Sequence, residues 1–569
     1  MARDLVDHLY DTSLEPERLV ELIEAWDARI RAADPADADG LRQLAEQDVI
    51  PHVARALTIL DRISVAEAER LQGILAGIEG AALVVGPTGI IVAANRAAQV
   101  AHALFPGENL SETSPEPVTN EIGQRLGALL ARGIGTETVV TLRSVPGDRL
   151  VALHLRVIDA GRNERHLLAV STECLWPERL SEVLSGAFGL TSAETGVLQA
   201  VVAGDTVAAV AARTQRSEKT VRAQIHALLA KTGTRSQTEL VRLSNLLLRS
   251  IPSAEFAPSD HDRPILRRRP LVLPGGRRVD VFRFGSPTGA PVIWMQSTLG
   301  FFVPTRSGEA DLRRRRMRVV VPVRAGFGDS APFPTGADVM ALAVTDTLAV
   351  MDLCRIDRAL VVAPVDDIRI ALELAHTAPE RIRGVVGLGT GFPIQTMEQY
   401  RRLHVIGRFF RVCARYTPQV LPFAAKAFHA WTRRFGVEAV MRKALSGVPS
   451  DARAFARPEV AEAMVSGFSY LMDAPAAMEA FCAEVPRFHE DWPAALGRVQ
   501  CPVLLIHGDE DQNAPVATVR EYCALYPAWR LVSFPGEGEL VAYSRTAEVL
   551  DLIAAELERT ADLAAPPHR

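Results

Sequence analysis

Cysteine is scarce in this chain: Cys174, Cys354, Cys413, Cys482, Cys501 and Cys523 are the six present among 569 residues, with no C-x-x-C pair. That spacing excludes a disulfide framework and a zinc knuckle and leaves ordinary reduced thiols in apolar contexts, so neither a metal nor a cofactor is expected. A run of about eighteen apolar residues is also missing, so no membrane partner is expected. The opening stretch, MARDLVDHLYD, is acidic and has no apolar signal core, which points to a cytoplasmic protein. Internal repeats and low-complexity tracts are missing too, apart from an alanine- and proline-containing tail after Thr560. Apolar material is plentiful: 48% of the residues are hydrophobic, and the chain is too long for one ordinary domain. Three or four units with their own cores are expected.

The most specific pattern runs from Leu190 to Leu240. It opens with L-T-x-x-E, continues with Val197-Leu198, and places Gly204 before a second helix. Ser217-Glu218-Lys219-Thr220-Val221 opens a third helix, and Lys231-Thr232-Gly233 closes it. Ser217 is a good N-cap for a helix starting at Glu218, and Val221, Ile225, Leu228 and Leu229 recur at helical spacing, giving one packing face. The other face carries Lys219, Thr220, Arg222, Ala223, Gln224 and His226. Between Glu194 and Arg249 eight basic residues face only Glu194, Asp205, Glu218 and Glu239, a local positive footprint in a chain of formal charge -5. The stretch resembles the LuxR/GerE-type helix-turn-helix. The resemblance implies a double-stranded DNA partner, contacted by Ser217, Lys219, Thr220, Arg222, Gln224, Lys231 and Arg235, and a homodimer reading two half-sites. The family often has histidine at Gln224, so base preference does not carry over.

The downstream half lacks an attacking atom where its pattern calls for one. Ala359 to Ala375, ALVVAPVDDIRIALELA, reads as a buried strand, a tight turn and a helix. The layout resembles the G-x-S-x-G elbow of the α/β-hydrolases, with Val365 at the serine and Ala363 and Asp367 at the glycines. Pro291 to Met295 resembles the strand before the oxyanion loop, with Gln296-Ser297 for the usual His-Gly. Met317 to Ser330 resembles the next strand and its turn, and Pro379 to Leu388 the strand after the elbow helix. Cys501 to Pro515 matches the strand and turn of the triad acid, at Asp511. Pro535 to Leu540 resembles the histidine turn, with Glu539 for histidine. The resemblance implies vestigial triad positions Val365, Asp511 and Glu539, two of which no longer exchange a proton with substrate. His376, His404, His429 and His489 are expected to be solvated or structural, and Asp366 and Asp367 to be solvated turn carboxylates. An unorthodox hydrolase or lyase using Asp366, Asp367 or Glu539 is the alternative. The expected ligand pocket, for a small and largely apolar molecule, comprises Gln296, Ser297, Val365, Asp366 and Glu539.

Gly73 to Gln99 reads as helix, strand, hairpin turn, strand and helix start, and resembles the opening of a PAS domain. Glu137 to Leu142, Leu150 to Ile158 and His166 to Ser171 are further strands of an antiparallel sheet. His102 has no evident partner, so an apolar-core scaffold is expected over a cofactor sensor. Arg267 to Arg269 and Arg313 to Arg316 are expected on a solvated face. Cap aromatics such as Phe409, Phe423, Trp431 and Phe468 recur at helical spacing and are expected in cap core. The resulting fold class is multidomain: N-terminal helices for dimerisation (1–72), PAS-like α+β (73–175), all-α helix-turn-helix (186–250), a proline-containing linker (251–264), and an α/β-hydrolase fold (265–560) with a helical cap at about 392–492.

Overall fold

The structure, a computed structural model, describes residues 2–32, 49–76, 78, 80–95, 97–98, 104, 106, 109–110, 117–144, 149–159, 164–171, 176, 178–250 and 268–561. Cys174, His102, Arg267 and the expected linker at 251–264 lie outside them. The chain divides into two compact units: Met1–Arg62, Arg263–Thr432 and Val437–Arg569 form one, and Ile63–Asp262 with Arg433–Gly436 the other. No helix among the described residues is long and apolar enough to cross a membrane.

Helices α1 (Ala2–Leu14) and α2 (Leu19–Ala32) open the chain, and α3 (Ile50–Ala76) begins in the first unit and ends in the second. In the second unit come β1 (Ala82–Val85), β2 (Ile91–Ala94), α4 (Pro117–Arg132), β3 (Glu137–Ser144), β4 (Arg149–Asp159) and β5 (Arg165–Ser171). The strands form one antiparallel sheet of order β2-β1-β5-β4-β3, as the sequence leads one to expect. Because successive side chains of a strand point to opposite faces, Ala82 and Val84 meet Leu71 and Leu75 of α3, while Leu83 and Val85 meet Ile122 and Leu126 of α4. Asn95 ties off the hairpin: its Oδ1 accepts from the Ala82 and Ala98 amides and its Nδ2 donates to the carbonyls of Ile78 and Gly80.

Five helices follow: α5 (Glu178–Phe188), α6 (Ser192–Val202), α7 (Val207–Thr214), α8 (Glu218–Thr232) and α9 (Gln237–Ser250). Their core joins Leu184, Leu198, Val210, Val221, Ile225, Leu228 and Leu240. The turn between α7 and α8 closes on Gln215 at φ 53°, and α8 ends on Gly233 at φ 67°. Glycine adopts that left-handed conformation without steric cost.

The hydrolase-like unit has strands β6 (Arg268–Val272), β7 (Arg278–Gly285), β8 (Ala290–Trp294), β9 (Met317–Pro322), β10 (Ala359–Pro364), β11 (Ile382–Leu388), β12 (Val503–Gly508) and β13 (Trp529–Phe534). Their order is β6-β7-β9-β8-β10-β11-β12-β13, antiparallel at β6, β7 and β9 and parallel beyond. That crossed order is the α/β-hydrolase fold the sequence implies. β10 and β12 are buried along their whole length, as parallel strands covered on both faces must be. Helices α10 (Arg306–Arg314), α11 (Val339–Leu353) and α12 (Ile368–Thr377) follow β8, β9 and β10 in turn. The cap comprises α13 (Met397–Arg402), α14 (Val405–Tyr416), α15 (Leu421–Phe435), α16 (Val437–Leu445), α17 (Pro449–Phe455), α18 (Pro458–Met472) and α19 (Ala477–His489). The chain then adds α20 (Val516–Leu525), α21 (Val541–Ser544) and α22 (Thr546–Arg559).

The expectation for residues 1–72 is corrected here. Up to Arg62 they belong to the hydrolase-like unit, because their apolar stripes are spent on the cap. Leu19, Leu22, Ile23 and Trp26 share one core with Phe409, Val412, Leu421 and Phe423. Trp26 meets Phe409 edge to face at 5.9 Å, and buried Arg408 pairs with buried Asp27. Lys426 reaches Asp61 at 2.8 Å. Of the two arginine runs, Arg268 pairs with Asp280 and Asp329, Arg313 with Glu309, and Arg315 with Asp551.

Candidate functional sites

The exposed face of α8 is the candidate nucleic-acid interface. Ser217 caps the helix as expected: its Oγ accepts from the Thr220 amide at 3.2 Å. Lys219, Thr220, Arg222, Ala223 and His226 are exposed, and Arg222 makes one ion pair with Glu218 at 3.0 Å. Gln224 is only half-exposed, with its Oε1 sealed and unbonded, so it presents less to a groove than the spacing promises. Arg235 is exposed beyond the helix end, and its amide bonds Glu239.

Lys231 is engaged within the unit. Its Nζ donates to Glu194 Oε2 at 2.7 Å and to the Gly189 carbonyl at 3.0 Å, fastening the end of α8 to the start of α6. Glu194 also closes a capping box with Thr191. The hydrogen bond from Lys231, then those from Thr191, pull the Glu194 carboxyl down to about 2. A folded-state value below the ordinary 4.5 means this contribution to stability is present above about pH 4.5 and is lost as pH falls towards 2. Lys231→Ala is expected to speed hydrogen exchange in peptides covering α6 and α8 at about pH 7, while the salt dependence of DNA binding keeps its slope, because the charge already serves Glu194. A shallower slope with unchanged exchange would restore Lys231 to the interface.

The second site is built at the C-terminal end of β10. Val365 follows the last strand residue and adopts φ 52°, a left-handed conformation that a β-branched residue pays for with roughly 1–3 kcal/mol of strain. The backbone turn of an elbow is therefore present, with an isopropyl group on it. Val365 and Glu539 line a cavity of about 50 Å3 together with Trp294, Phe301, Phe302, Leu388, Tyr543 and Leu550. The cap aromatics do not line it. As expected they fill cap core, with Phe409 and Phe423 facing α2 and Phe468 joining the core beneath the cap.

Three of the five expected pocket residues are placed elsewhere. Gln296 is buried with Oε1 accepting from the Arg324 amide at 2.8 Å, and the Ser297 amide is spent on Asp367 Oδ2 at 2.8 Å. Asp367 is no solvated turn residue. It is 1% exposed and takes Arg324 Nη1 at 2.7 Å, while Arg324 Nε donates to buried Glu484 of α19 at 2.7 Å. Burial pushes both carboxyls up, against the pull of Arg324. Asp366 turns the other way, towards Arg411 of α14 at 3.3 Å and His489 at 3.9 Å. His489, expected to be solvated or structural, is buried beside the elbow, and burial lowers it to about 4. Arg411 also donates to the Asn513 carbonyl. Arg411 and Glu484 carry no signal in the sequence, because no motif ties α14 or α19 to the elbow.

Asp511 and Glu539 do come together. Asp511 Oδ1 accepts from the Asn513 and Ala514 amides, Asn513 Nδ2 donates to Glu539 Oε2 at 2.8 Å, and Asp511 Oδ2 is sealed without a bond. Asp451 of α17 holds the turn where the triad histidine belongs by accepting from the Glu539 and Leu540 amides. Gly538 has to be glycine here, since a Cβ would lie 2.4 Å from the Asp451 carboxylate. Burial, then the charge of Asp451, raises Glu539 to about 7, and burial with Glu539 beside it raises Asp511 well above the usual range. No cluster of metal-ligating side chains occurs among the described residues.

Residues 189–244 match the family GerE, bacterial regulatory proteins, luxR family. No curated protein matches the chain. Among solved structures it is similar to an esterase from Thermogutta terrifontis, at 19% identity over 52% of this chain and 99% of that one, with TM-score 0.37. A 2-hydroxy-6-oxo-6-phenylhexa-2,4-dienoate hydrolase from Rhodococcus sp. strain RHA1 aligns at 19% identity, 52% and 99% coverage and TM-score 0.39. The epoxide hydrolase VrEH1 from Vigna radiata aligns at 18% identity, with the same coverages and TM-score 0.39. The luxR-family match is confined to residues 189–244, and the α/β-hydrolase fold of the larger unit rests on its own strand order.

Proposed function

We propose that this protein is a ligand-responsive, DNA-binding transcription regulator whose hydrolase-fold domain binds a small, largely apolar molecule and does not turn it over. The observation that carries the reading is Val365: the strained elbow backbone is kept while its side chain, with no atom to attack or ionise, faces an apolar cavity. The Ser297 amide bonded to Asp367 supports it, because a donor near the oxyanion position is already engaged. At about 50 Å3 the cavity is far below the roughly 300–1,000 Å3 of a typical ligand site, so binding has to displace side chains. Phe301 and Phe302 follow Gly300, which packs on Gly467 of α18 so closely that a Cβ on either would strike the other's backbone. A ligand that moves them pushes on the cap, and the cap is what α1 and α2 cover. The five-stranded sheet, with its Asn95 clasp, fits a PAS-like scaffold for a homodimer.

A second reading has one specific observation behind it: His489 lies 3.9 Å from Asp366, so an unorthodox hydrolase would use that pair. One experiment separates the two. The full-length protein is expected to show no turnover of p-nitrophenyl butyrate above a buffer blank. Its affinity for a duplex selected from a random-sequence pool should change on adding extract of the host cell, and Val365→Trp should abolish that change while the protein stays folded. Ester turnover lost in Asp366→Ala would decide for the enzyme. An unchanged response in Val365→Trp would move the sensing site away from the elbow.

A further inference from the structure

Resting on the reading of the elbow cavity as a ligand site, the geometry points to the class of molecule it takes: an apolar tail ending in a hydrogen-bond donor, hydroxyl or ammonium, and carrying no negative charge. Among the described residues Glu539 is the one acidic residue lining the cavity, and it is 8% exposed. Asn513 occupies its Oε2, whereas Oε1 makes no hydrogen bond with any described residue. An unbonded carboxyl oxygen on the wall of a cavity is an open acceptor, and a ligand bringing an O–H or N–H would take it up. The remaining walls are mostly apolar, among them Trp294, Phe301, Phe302 and Leu550, and the hydroxyls of Thr305, Tyr543 and Thr546 are engaged within the protein.

The charges around Glu539 exclude the opposite head group. Asp451 of α17, Asp366 of the elbow turn and Asp511 of the acid turn all act on this cluster, and Arg411 of α14 is the cation facing it. Arg411 is already engaged by Asp366 and the Asn513 carbonyl. Above about pH 7, where Glu539 is ionised, a carboxylate or phosphate head brought to Oε1 would meet like charge and no free donor. An ammonium head favours ionised Glu539 and a hydroxyl head tolerates either form, so the two sources of the donor are separable by pH. With Glu539 held near 7, ammonium binding should strengthen as pH rises from about 6 to about 8, whereas alcohol binding should change little.

The test is calorimetric titration of the full-length protein with hexan-1-ol, hexylamine and hexanoate, which share one tail. The alcohol, the amine or both are expected to bind about tenfold or more tightly than hexanoate. Glu539→Gln, which keeps shape and the Asn513 contact, should bring hexanoate to within about threefold of the alcohol and remove the pH dependence of the amine. Hexanoate binding as tightly as the alcohol in the unmodified protein would overturn this ligand class and leave the sensor reading standing. If none of the three binds, and Val365→Trp changes nothing, the cavity is no ligand site and both readings fall. Should Glu539→Gln not fold, the ordering of the three probes and the pH profile of the unmodified protein decide alone.

Discussion

Arg324→Met is expected to destabilise the hydrolase-like unit by about 3–5 kcal/mol, the cost of breaking a buried ion pair from one side. The guanidinium lies between Asp367 and Glu484, and all three side chains are buried. It also sits 5.8 Å from the ring of Phe327 and 5.9 Å from that of Phe488. Methionine fills part of that space and leaves two carboxyls without a cation. In a unit of this size the loss should appear as a fall in melting temperature on the order of 10 °C by calorimetry. The pH dependence has a defined sign. Burial already raises both carboxyls, and removing Arg324 raises them further, so the folded variant binds more protons than the unfolded chain above about pH 4. Its deficit should be smallest in acid and grow as pH rises. Arg324→Met combined with Asp367→Asn and Glu484→Gln should recover most of the loss, since no buried charge is then unpaired. A single-variant loss under about 1 kcal/mol would mean water reaches the cluster.

What was legible in the sequence follows from which interactions are local. The helix-turn-helix could be read from Ser217, the Val221-Ile225-Leu228 spacing and Gly233 because caps and amphipathic faces are set within a few residues. Individual strands could be read where each carries its own turn, and the structure puts Val365, Asp511 and Glu539 in the turns after β10, β12 and β13. Contacts between distant segments could not. Lys231 and Glu194 are 37 positions apart, so a basic residue at a helix end looked free when its charge was already spent. Arg408 and Asp27 are 381 apart, so the stripes on α1 and α2 read as a subunit interface when the cap covers them. Asp367 misled for the same reason, since its partner Arg324 arrives from the turn after β9. His489 was expected to be solvated or structural, and a lone histidine in a helical insert carries no signal that it will be buried beside Asp366.

Arg222→Ala is expected to weaken binding to a duplex selected from a random-sequence pool by roughly 1–3 kcal/mol and to relax the sequence preference at one position. Arg222 stands one turn into α8, and its side chain is 67% exposed. Its pair with Glu218 is a surface contact worth under about 1 kcal/mol, so exchanging that partner for a guanine edge costs little. Arg235 lies past the Gly233 turn, where backbone phosphates are the nearer target, and Arg235→Ala should weaken all sequences alike and reduce the salt slope by about one. Gln224→Ala should cost less than Arg222→Ala, because the amide is half-buried and its oxygen is turned inward. The measurement is affinity for the selected duplex and for a scrambled one at several matched salt concentrations. If Arg222→Ala lowers both affinities equally and makes the salt dependence shallower, Arg222 binds phosphate and α8 meets the groove by another edge. Equal affinities for the two duplexes in the unmodified protein would remove base readout from α8 altogether.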